Sequence, residues 1–139
     1  MSLPFARVLR TLMTSDAACT AALPGGIHPD QIPQESSLPA LAYSVSSEPV
    51  QSLSGSSSIT DIRYATLSLT VIARTATQAE AADKAISDLV KAHREKTTQS
   101  GYSVHRLIYS GMNFESEFLS DGDDESYRKL TGTITGFVL

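Results

Sequence analysis

The chain has a single cysteine, no tryptophan and few aromatic residues, which make up 6% of its 139 residues. With only Cys19 present, an internal disulfide is excluded, and a reducing cytoplasm is the default compartment. No apolar run approaches the roughly 20 residues that a membrane-spanning helix requires. The arginine-containing start lacks an uninterrupted apolar segment followed by a small-residue cleavage site, so no secretion signal is expected. These absences predict a soluble protein with no membrane partner.

Positive charge is also scarce. Eleven lysines and arginines stand against fifteen acidic residues, which gives a formal net charge of -4. Binding to phosphate groups depends on clustered lysine and arginine side chains that release counterions, and here the basic residues are scattered along the sequence. Direct sequence-specific binding of nucleic acid is therefore not expected.

The sequence contains no recognisable catalytic or metal-binding constellation. Its three histidines, His28, His93 and His105, are far apart and have no metal-ligand spacing. The acidic run from Asp121 to Glu125 lacks the sixth-position glycine and the twelfth-position glutamate of a calcium-binding loop. We therefore predict no catalytic, cofactor-binding or metal-binding residue, no cofactor, and no enzymatic activity.

The strongest structural signal present is a strand that leads directly into a helix, between Arg63 and about Lys96. Apolar residues alternate with polar ones up to Ala73, which is typical of a strand with one buried face. Thr77 and Glu80 fit a capping box, which predicts a helix start at Thr77. The apolar residues that follow recur at helical spacing, and this predicts a helix packed across its own preceding strand.

The remaining patterns predict a helix over Pro4 to Met13, a short helical segment over Ala17 to Leu23 that Ser15 or Asp16 can cap, and strands over 41–46, 103–110 and 128–139. The strand over 41–46 is expected to pair with the strand that begins at Arg63, and the alternation over 103–110 is less regular. Cys19 is expected to be a small buried residue, and the alanines at the start of the helix after Thr77 should let it approach a sheet closely. The predicted fold is α+β, in the order α-β-β-α-β-β. Its four-stranded sheet is mostly antiparallel (mixed), with helices packed on one face and the other face available. We expect a single domain over residues 1–139 with long loops at about 24–40, 48–62 and 111–126. Since the 48–62 loop is longer than a hairpin needs, we expect it to meet a partner.

Two local patterns resemble one protein family. They are the strand entry Leu38-Pro39-Ala40-Leu41-Ala42-Tyr43 and the helix start Thr77-Gln78-Ala79-Glu80-Ala81. Over about residues 5–92 the chain resembles the tail-completion or tail-terminator proteins of long-tailed bacteriophages and gene transfer agents. The acidic segment from Glu115 to Glu125 departs from that family, with no motif that can be aligned.

The resemblance implies a small α+β subunit that assembles with copies of itself into a ring, typically a hexamer, at the head-proximal end of a tail. Such a ring stops growth of the tail tube and joins the tail to the head connector. The implied partners are other copies of the chain, the tail tube protein, and the head-completion or connector protein. The implied location is the virion, at the head–tail interface, and the host bacterial cytoplasm during assembly. The implied source is a phage, a prophage or a gene transfer agent.

Rings form through heterologous contacts, in which one patch of a subunit meets a different patch of the next. Opposite charges on two edges would serve such contacts, although each charge has solvation as its alternative explanation. The candidate residues for contacts with subunits or partners are Glu48, Gln51, Asp61, Arg63, Arg74, Glu117, Asp121, Asp124 and Arg128.

Two other hypotheses compete with the ring-forming tail protein. The first is a dimeric α+β ligand-binding or regulatory module that uses its available sheet face for dimerisation and a small molecule. The second is a small enzyme that uses His105 or Tyr109 near the sheet. A six-fold ring would favour the tail protein, whereas a dimer with a defined pocket would favour the binding module.

Overall fold

The computed structural model describes residues 4–33, 37–49, 63–99, 102–115 and 128–138. The elements are α1 (Pro4–Ser15), α2 (Ala17–Ala22), β1 (Ile27–Pro29), β2 (Ala40–Pro49), β3 (Arg63–Ala73), α3 (Ala76–Ala92), β4 (Lys96–Gln99), β5 (Tyr102–Tyr109), β6 (Asn113–Glu115) and β7 (Arg128–Val138). In this part of the chain, no helix has the length and apolar character needed to cross a membrane.

The strands form one sheet in the order β1-β2-β3-β7-β5-β4, and the short β6 pairs with β7 beside β5. The β1–β2 pair is parallel and the other pairs are antiparallel. The predicted pairing of β2 with β3 is confirmed, from Ala40 opposite Ile72 to Pro49 opposite Arg63. The α+β class and the mostly antiparallel (mixed) character of the sheet are therefore confirmed.

The predicted count of four strands and the order α-β-β-α-β-β are wrong. The observed order is α-α-β-β-β-α-β-β-β-β. The predicted order has fewer strands because it lacks β1, β4 and β6. These strands have three or four residues each, too few to display an alternation of apolar and polar positions. β1 and β6 fall inside the ranges predicted as loops, 24–40 and 111–126, while residues 50–62 of the 48–62 loop lie outside the described residues.

The core lies between the helices and one face of the sheet. Leu67, Leu69 and Val71 of β3 are buried, and Leu130 and Ile134 of β7 join them on the same face. The buried side chains of the helices that complete this core include Phe5, Leu9 and Met13 from α1, Cys19 from α2, and Ala79, Ala82 and Ile86 from α3. The alanines at the start of α3 let the helix approach the sheet closely, as the sequence predicted.

The start of α3 corrects one prediction. The N-cap is Thr75, whose side chain accepts a hydrogen bond from the Gln78 backbone N–H, and not Thr77. The Gln78 side chain in turn accepts a hydrogen bond from the Arg74 backbone N–H at 3.1 Å. Thr75 and Gln78 are three positions apart, as are Thr77 and Glu80, so the sequence offers two candidate capping boxes. The helix begins at the earlier pair, directly after the end of β3 at Ala73.

A bulge in β5 shapes the middle of the sheet. His105 lies opposite Phe137 and Ile108 lies opposite Thr135, so two residues of β5 face the single residue Gly136 of β7. One of these two residues, Arg106, has a φ of 53°, and Leu107 points into the core. A Cβ at Gly136 would lie 2.9 Å from the end of the Leu107 side chain and 3.1 Å from the ring of Phe5. The glycine therefore lets the bulged strand and α1 pack tightly on β7.

We expect Gly136→Ala to lower the free energy of unfolding by about 1–3 kcal/mol, because the added methyl group overpacks a filled core. Urea denaturation at pH 7 measures this change. Thr135→Ala is a suitable control, since Thr135 is the neighbouring residue on the opposite face of the same strand. Equal losses for the two variants would contradict the close packing at Gly136.

Candidate assembly interface

The sheet face opposite the helices carries hydroxyl groups across three strands. Within the described residues this surface, called the hydroxyl face below, consists of Ser44 and Ser46 of β2, Thr66, Ser68 and Thr70 of β3, and Thr131, Thr133 and Thr135 of β7. The register aligns Ser44, Ser68 and Thr133 in one row. All of these side chains are exposed or half-buried. Such a flat, uncharged surface can donate and accept hydrogen bonds but holds no group for acid–base chemistry.

Aromatic and apolar side chains border the hydroxyl face at one end. The rings of Tyr64 and Phe137 meet edge to face, with centroids 5.4 Å apart, and His105 is the next residue in the same row. Tyr64 is 39% exposed and Ile108 is 65% exposed. The Nε2 atom of His105 is buried and has no hydrogen-bond partner among the described residues. Large exposed apolar side chains beside one another are typical of contact surfaces.

A cavity of about 120 Å³ lies between the C-terminal half of α3 and the bulged part of β5, and it is called the basic cavity below. Its lining includes Ser87, Val90, Lys91 and Arg94 from the helix side and Leu107, Ile108 and Tyr109 from the strand. Lys91 and Arg94 are exposed at its rim. Lysine in the last turn of a helix is favoured by the helix dipole. The cavity therefore combines an apolar floor with two cationic side chains.

Backbone hydrogen bonds fix the strand side of the basic cavity. The N–H groups of Arg106 and Leu107 donate to the carbonyl oxygens of Glu95 and Arg94, at 3.3 Å and 3.0 Å. These bonds tie the bulge to the chain that leaves α3. The strand β4 pairs with β5 only as far as Lys96 opposite His105, so it ends before it reaches Ile108. Ile108 lines the cavity at this uncovered edge, and because it lies opposite Thr135 its exposed side chain is on the hydroxyl side of β5.

A carboxylate anchors the far end of β5 to α3. Asp83 of α3 accepts hydrogen bonds from the hydroxyl of Tyr109 at 2.5 Å and from the backbone N–H of Met112 at 3.2 Å. Burial raises the pKa of the Tyr109 hydroxyl well above its ordinary value, and the hydrogen bond to the Asp83 carboxylate and its negative charge add to the effect. The pair holds the connection between β5 and β6 against the helix and fixes one wall of the basic cavity.

The two residues named in the enzyme hypothesis, His105 and Tyr109, do not lie together in the structure. His105 lies on the hydroxyl side of β5 because it faces Phe137, whereas Tyr109 points to α3 on the other side. Among the described residues, no three histidine, cysteine or acidic side chains are grouped as metal ligands. Cys19 is buried, as expected, and burial with a nearby Asp16 raises the pKa of its thiol to about 12. A thiol that holds its proton so firmly is a weak nucleophile.

The structure separates the sequence-predicted interface residues into two groups. Glu48 and Arg63 lie at the end of the sheet where β2 and β3 approach residues 50–62, here called the hairpin end. Arg74 and Arg128 lie at the opposite end, here called the Arg128 end, where Ala73 pairs with Arg128. The other candidates, Gln51, Asp61, Glu117, Asp121 and Asp124, lie outside the described residues. The contact role of all nine residues stays a prediction.

Sequence reasoning missed the basic cavity. In the sequence, Lys91 and Arg94 lie on the solvated side of an amphipathic helix. Arg106 and Ile108 belong to a predicted strand whose alternation of apolar and polar residues is irregular. The bulge between His105 and Ile108 is what brings these residues to one place. The available signal was the irregular alternation itself, since a bulge shifts the residues after it to the other face.

The family model described as "Tail completion protein gp17" matches residues 7–117. The chain belongs to the tail completion protein family. The match covers most of the chain and confirms the resemblance seen in its sequence. This family member is therefore a structural protein of phage tails, and the family gives no support to an enzymatic role.

A solved structure shares the fold of this chain. It is a chain described as "Virion of native gene transfer agent (GTA) particle", with 15% sequence identity and a TM-score of 0.58. The alignment covers 99% of this chain and 98% of that chain. At this identity the likeness shows a shared fold along nearly the whole length. No curated protein sequence matches the chain significantly.

We expect Tyr109→Phe to lower the free energy of unfolding at pH 7 by about 1–3 kcal/mol, because Asp83 loses a hydrogen bond from the tyrosine hydroxyl. The pH dependence provides a second readout. The pKa of Tyr109 is higher in the folded chain than in the unfolded one, so the folded chain retains this proton while the unfolded chain loses it. Stability from this group is present below about pH 10, the ordinary tyrosine pKa, and declines above it.

Denaturation across pH 7–11 measures both effects. The decline of stability above pH 10 should be shallower in Tyr109→Phe than in the unsubstituted chain. Tyr102→Phe, on the same strand, is the matched control and should keep the original slope. Identical pH profiles for all three chains would contradict the role given to the Asp83–Tyr109 hydrogen bond.

Proposed function

We propose that the chain forms a ring, of six subunits, at the head-proximal end of a phage or gene transfer agent tail. The ring ends growth of the tail tube and joins the tail to the head connector. Its partners are other copies of the chain, the tail tube protein and the head-completion or connector protein. Assembly takes place in the host bacterial cytoplasm, and the assembled ring stays in the virion. The proposal starts from membership of the tail completion family.

The observation that carries the ring proposal is that the four described candidate contact residues lie at opposite ends of the long central strands. β7 pairs with β3 along all eleven of its residues, from Arg128 to Val138. At about 3.3 Å per residue, the hairpin end and the Arg128 end are separated by about 35 Å. The two groups of predicted contact residues fall at these opposite ends. A ring requires this arrangement, because each subunit must offer two different patches to its two neighbours.

The exposed surfaces also suit contacts between proteins more than binding of a small molecule. The hydroxyl face is broad and extends over three strands, and the aromatic pair of Tyr64 and Phe137 borders it. Aromatic side chains are enriched where proteins meet. The formal charge of -4 suits a ring through which DNA passes, since a negative annulus does not hold the phosphate backbone. These features support a subunit that acts through protein–protein contacts.

The test of this proposal is a mass measurement with images. Light scattering after gel filtration, over a range of protein and salt concentrations, should be followed by negative-stain microscopy of the chain mixed with tubes of its own tail tube protein. We expect a particle of six subunits with a central hole, either free or bound at one end of each tube. Tubes assembled with the protein present should have a capped end that no longer elongates.

Two results would contradict the proposal. A tight dimer at every concentration, with tube ends left bare, would favour the dimeric binding module. Tubes that continue to elongate in excess protein would exclude the terminating role. Tubes assembled without the protein are the control for spontaneous arrest of growth.

A further inference from the structure

We propose that the basic cavity binds the acidic segment of a second copy of this chain, residues 115–125, and that this is the contact between ring neighbours. The inference rests on the proposed ring and identifies which surface of one subunit meets which segment of the next. It differs from the pairing suggested by sequence alone, in which Arg63, Arg74 and Arg128 supplied the positive charge. The reasons lie in where the charges stand in the fold.

Three exposed cationic side chains belong to the basic cavity or to the bulge beside it. Lys91 and Arg94 lie at its rim, and Arg106 belongs to the bulge that forms its strand side. All three side chains are exposed. In the described part of the chain, no carboxylate forms an ion pair with any of them. A group of exposed cations beside an apolar surface attracts an anionic segment that also has apolar side chains.

The sequence of residues 115–125 has these two properties. It reads ESEFLSDGDDE, with six acidic residues and the apolar pair Phe118 and Leu119 near its middle. The exposed Ile108 offers apolar contact at the cavity, and the buried Val90 and Leu107 lie beneath it. The acidic segment and the basic cavity therefore match in both charge and apolar surface. The contact gives a specific partner to the segment of this chain that departs from the family.

The described residues that flank the acidic segment are offset from the basic cavity along the sheet. Glu115 pairs with Lys129, and Arg128 pairs with Ala73. The cavity adjoins Ile108, which lies opposite Thr135. Six positions along β7 separate Lys129 from Thr135, which is about 20 Å at 3.4 Å per residue. The two attachment points of residues 116–127 therefore lie about 20 Å from the level of the cavity.

This offset favours a contact between subunits over one within a subunit. The middle of residues 116–127 lies about six residues from either anchor, and a fully extended chain of that length spans about 20 Å. Both limbs would have to be fully stretched to bring the acids to the level of their own cavity, which itself lies across β5 toward α3. The acidic segment of a neighbouring copy is not limited by this chain length, because the position of that copy is not fixed by the connection. A contact of one end with another surface of the next copy is heterologous, as ring closure requires.

A peptide titration tests the binding directly. A fluorescent synthetic peptide with the sequence of residues 113–127 is titrated with the full chain, kept dilute, and its anisotropy is followed. We expect Lys91→Glu/Arg94→Glu to weaken binding by about tenfold or more, because like charges then face each other. Binding should also weaken as salt is raised, since these charges lie at the surface.

Three controls make the titration specific. Arg10→Glu/Lys84→Glu makes the same change of charge at exposed positions outside the cavity and should leave binding within about twofold. A peptide of the same composition in scrambled order should bind more weakly than the native order. Circular dichroism should show that both variants retain the fold. Equal binding to both variants, or no binding of the native peptide by the unsubstituted chain, would overturn the proposal.

A charge exchange in the full chain separates this inference from the proposed ring. Lys91→Glu/Arg94→Glu alone, or Asp121→Lys/Asp124→Lys alone, should abolish the six-subunit species, and an equal mixture of the two variants should restore a six-subunit species in which the variants alternate. A ring that forms normally from either variant would overturn this inference and leave the proposed function standing. Peptide binding at the cavity without any ring would contradict the proposed function and leave this contact standing.

Discussion

The rest of the structure depends on the burial of one face of the two long central strands. β3 and β7 pair over eleven residues, and at every second position β3 places an apolar side chain inward while β7 places either an apolar side chain or a glycine. Removing this surface from water supplies the main free energy of folding, at about 25 cal/mol per Å² of apolar area buried. The helices are positioned by the same face, since α1 covers it with Phe5 and Leu9 and α3 covers it with alanines and Ile86. The alternation that buries this face necessarily leaves the hydroxyl face outside.

This constraint explains why the sheet could be predicted in its centre and not at its margins. The alternation along β3 and β7 extends over three or more repeats, and it gave both strands within one residue of their observed ends. β2 and its antiparallel pairing with β3 were predicted in the same way. The strands β1, β4 and β6 have no such repeat, and they exist because a longer neighbour offers unpaired backbone groups. Their presence is a tertiary effect that no local pattern records.

The helix starts illustrate a different limit. Asp16 was predicted as a possible cap of α2 and is its N-cap. For α3, both Thr75 and Thr77 are followed three residues later by a side chain that can complete a capping box. The local sequence therefore allowed two helix starts. The choice of Thr75 follows from where β3 ends, at Ala73, since little chain then separates strand from helix. The contact surfaces show the same dependence, because a bulge opposite Gly136 joins Lys91 and Arg94 to Ile108. A single inserted position in a strand thus determines where an exposed apolar side chain appears.

The positions of the charged residues are more informative about association than the net charge is. A formal charge of -4 describes a mildly acidic protein, yet six of its fifteen acidic residues lie within residues 115–125. The exposed cations Lys91 and Arg94 line the basic cavity, and Arg106 lies in the bulge beside it. Opposite charges on two patches disfavour contacts between like patches and favour contacts between unlike patches. A closed ring results when the two patches of one subunit meet two different neighbours, whereas a two-fold dimer results when both meet the same copy.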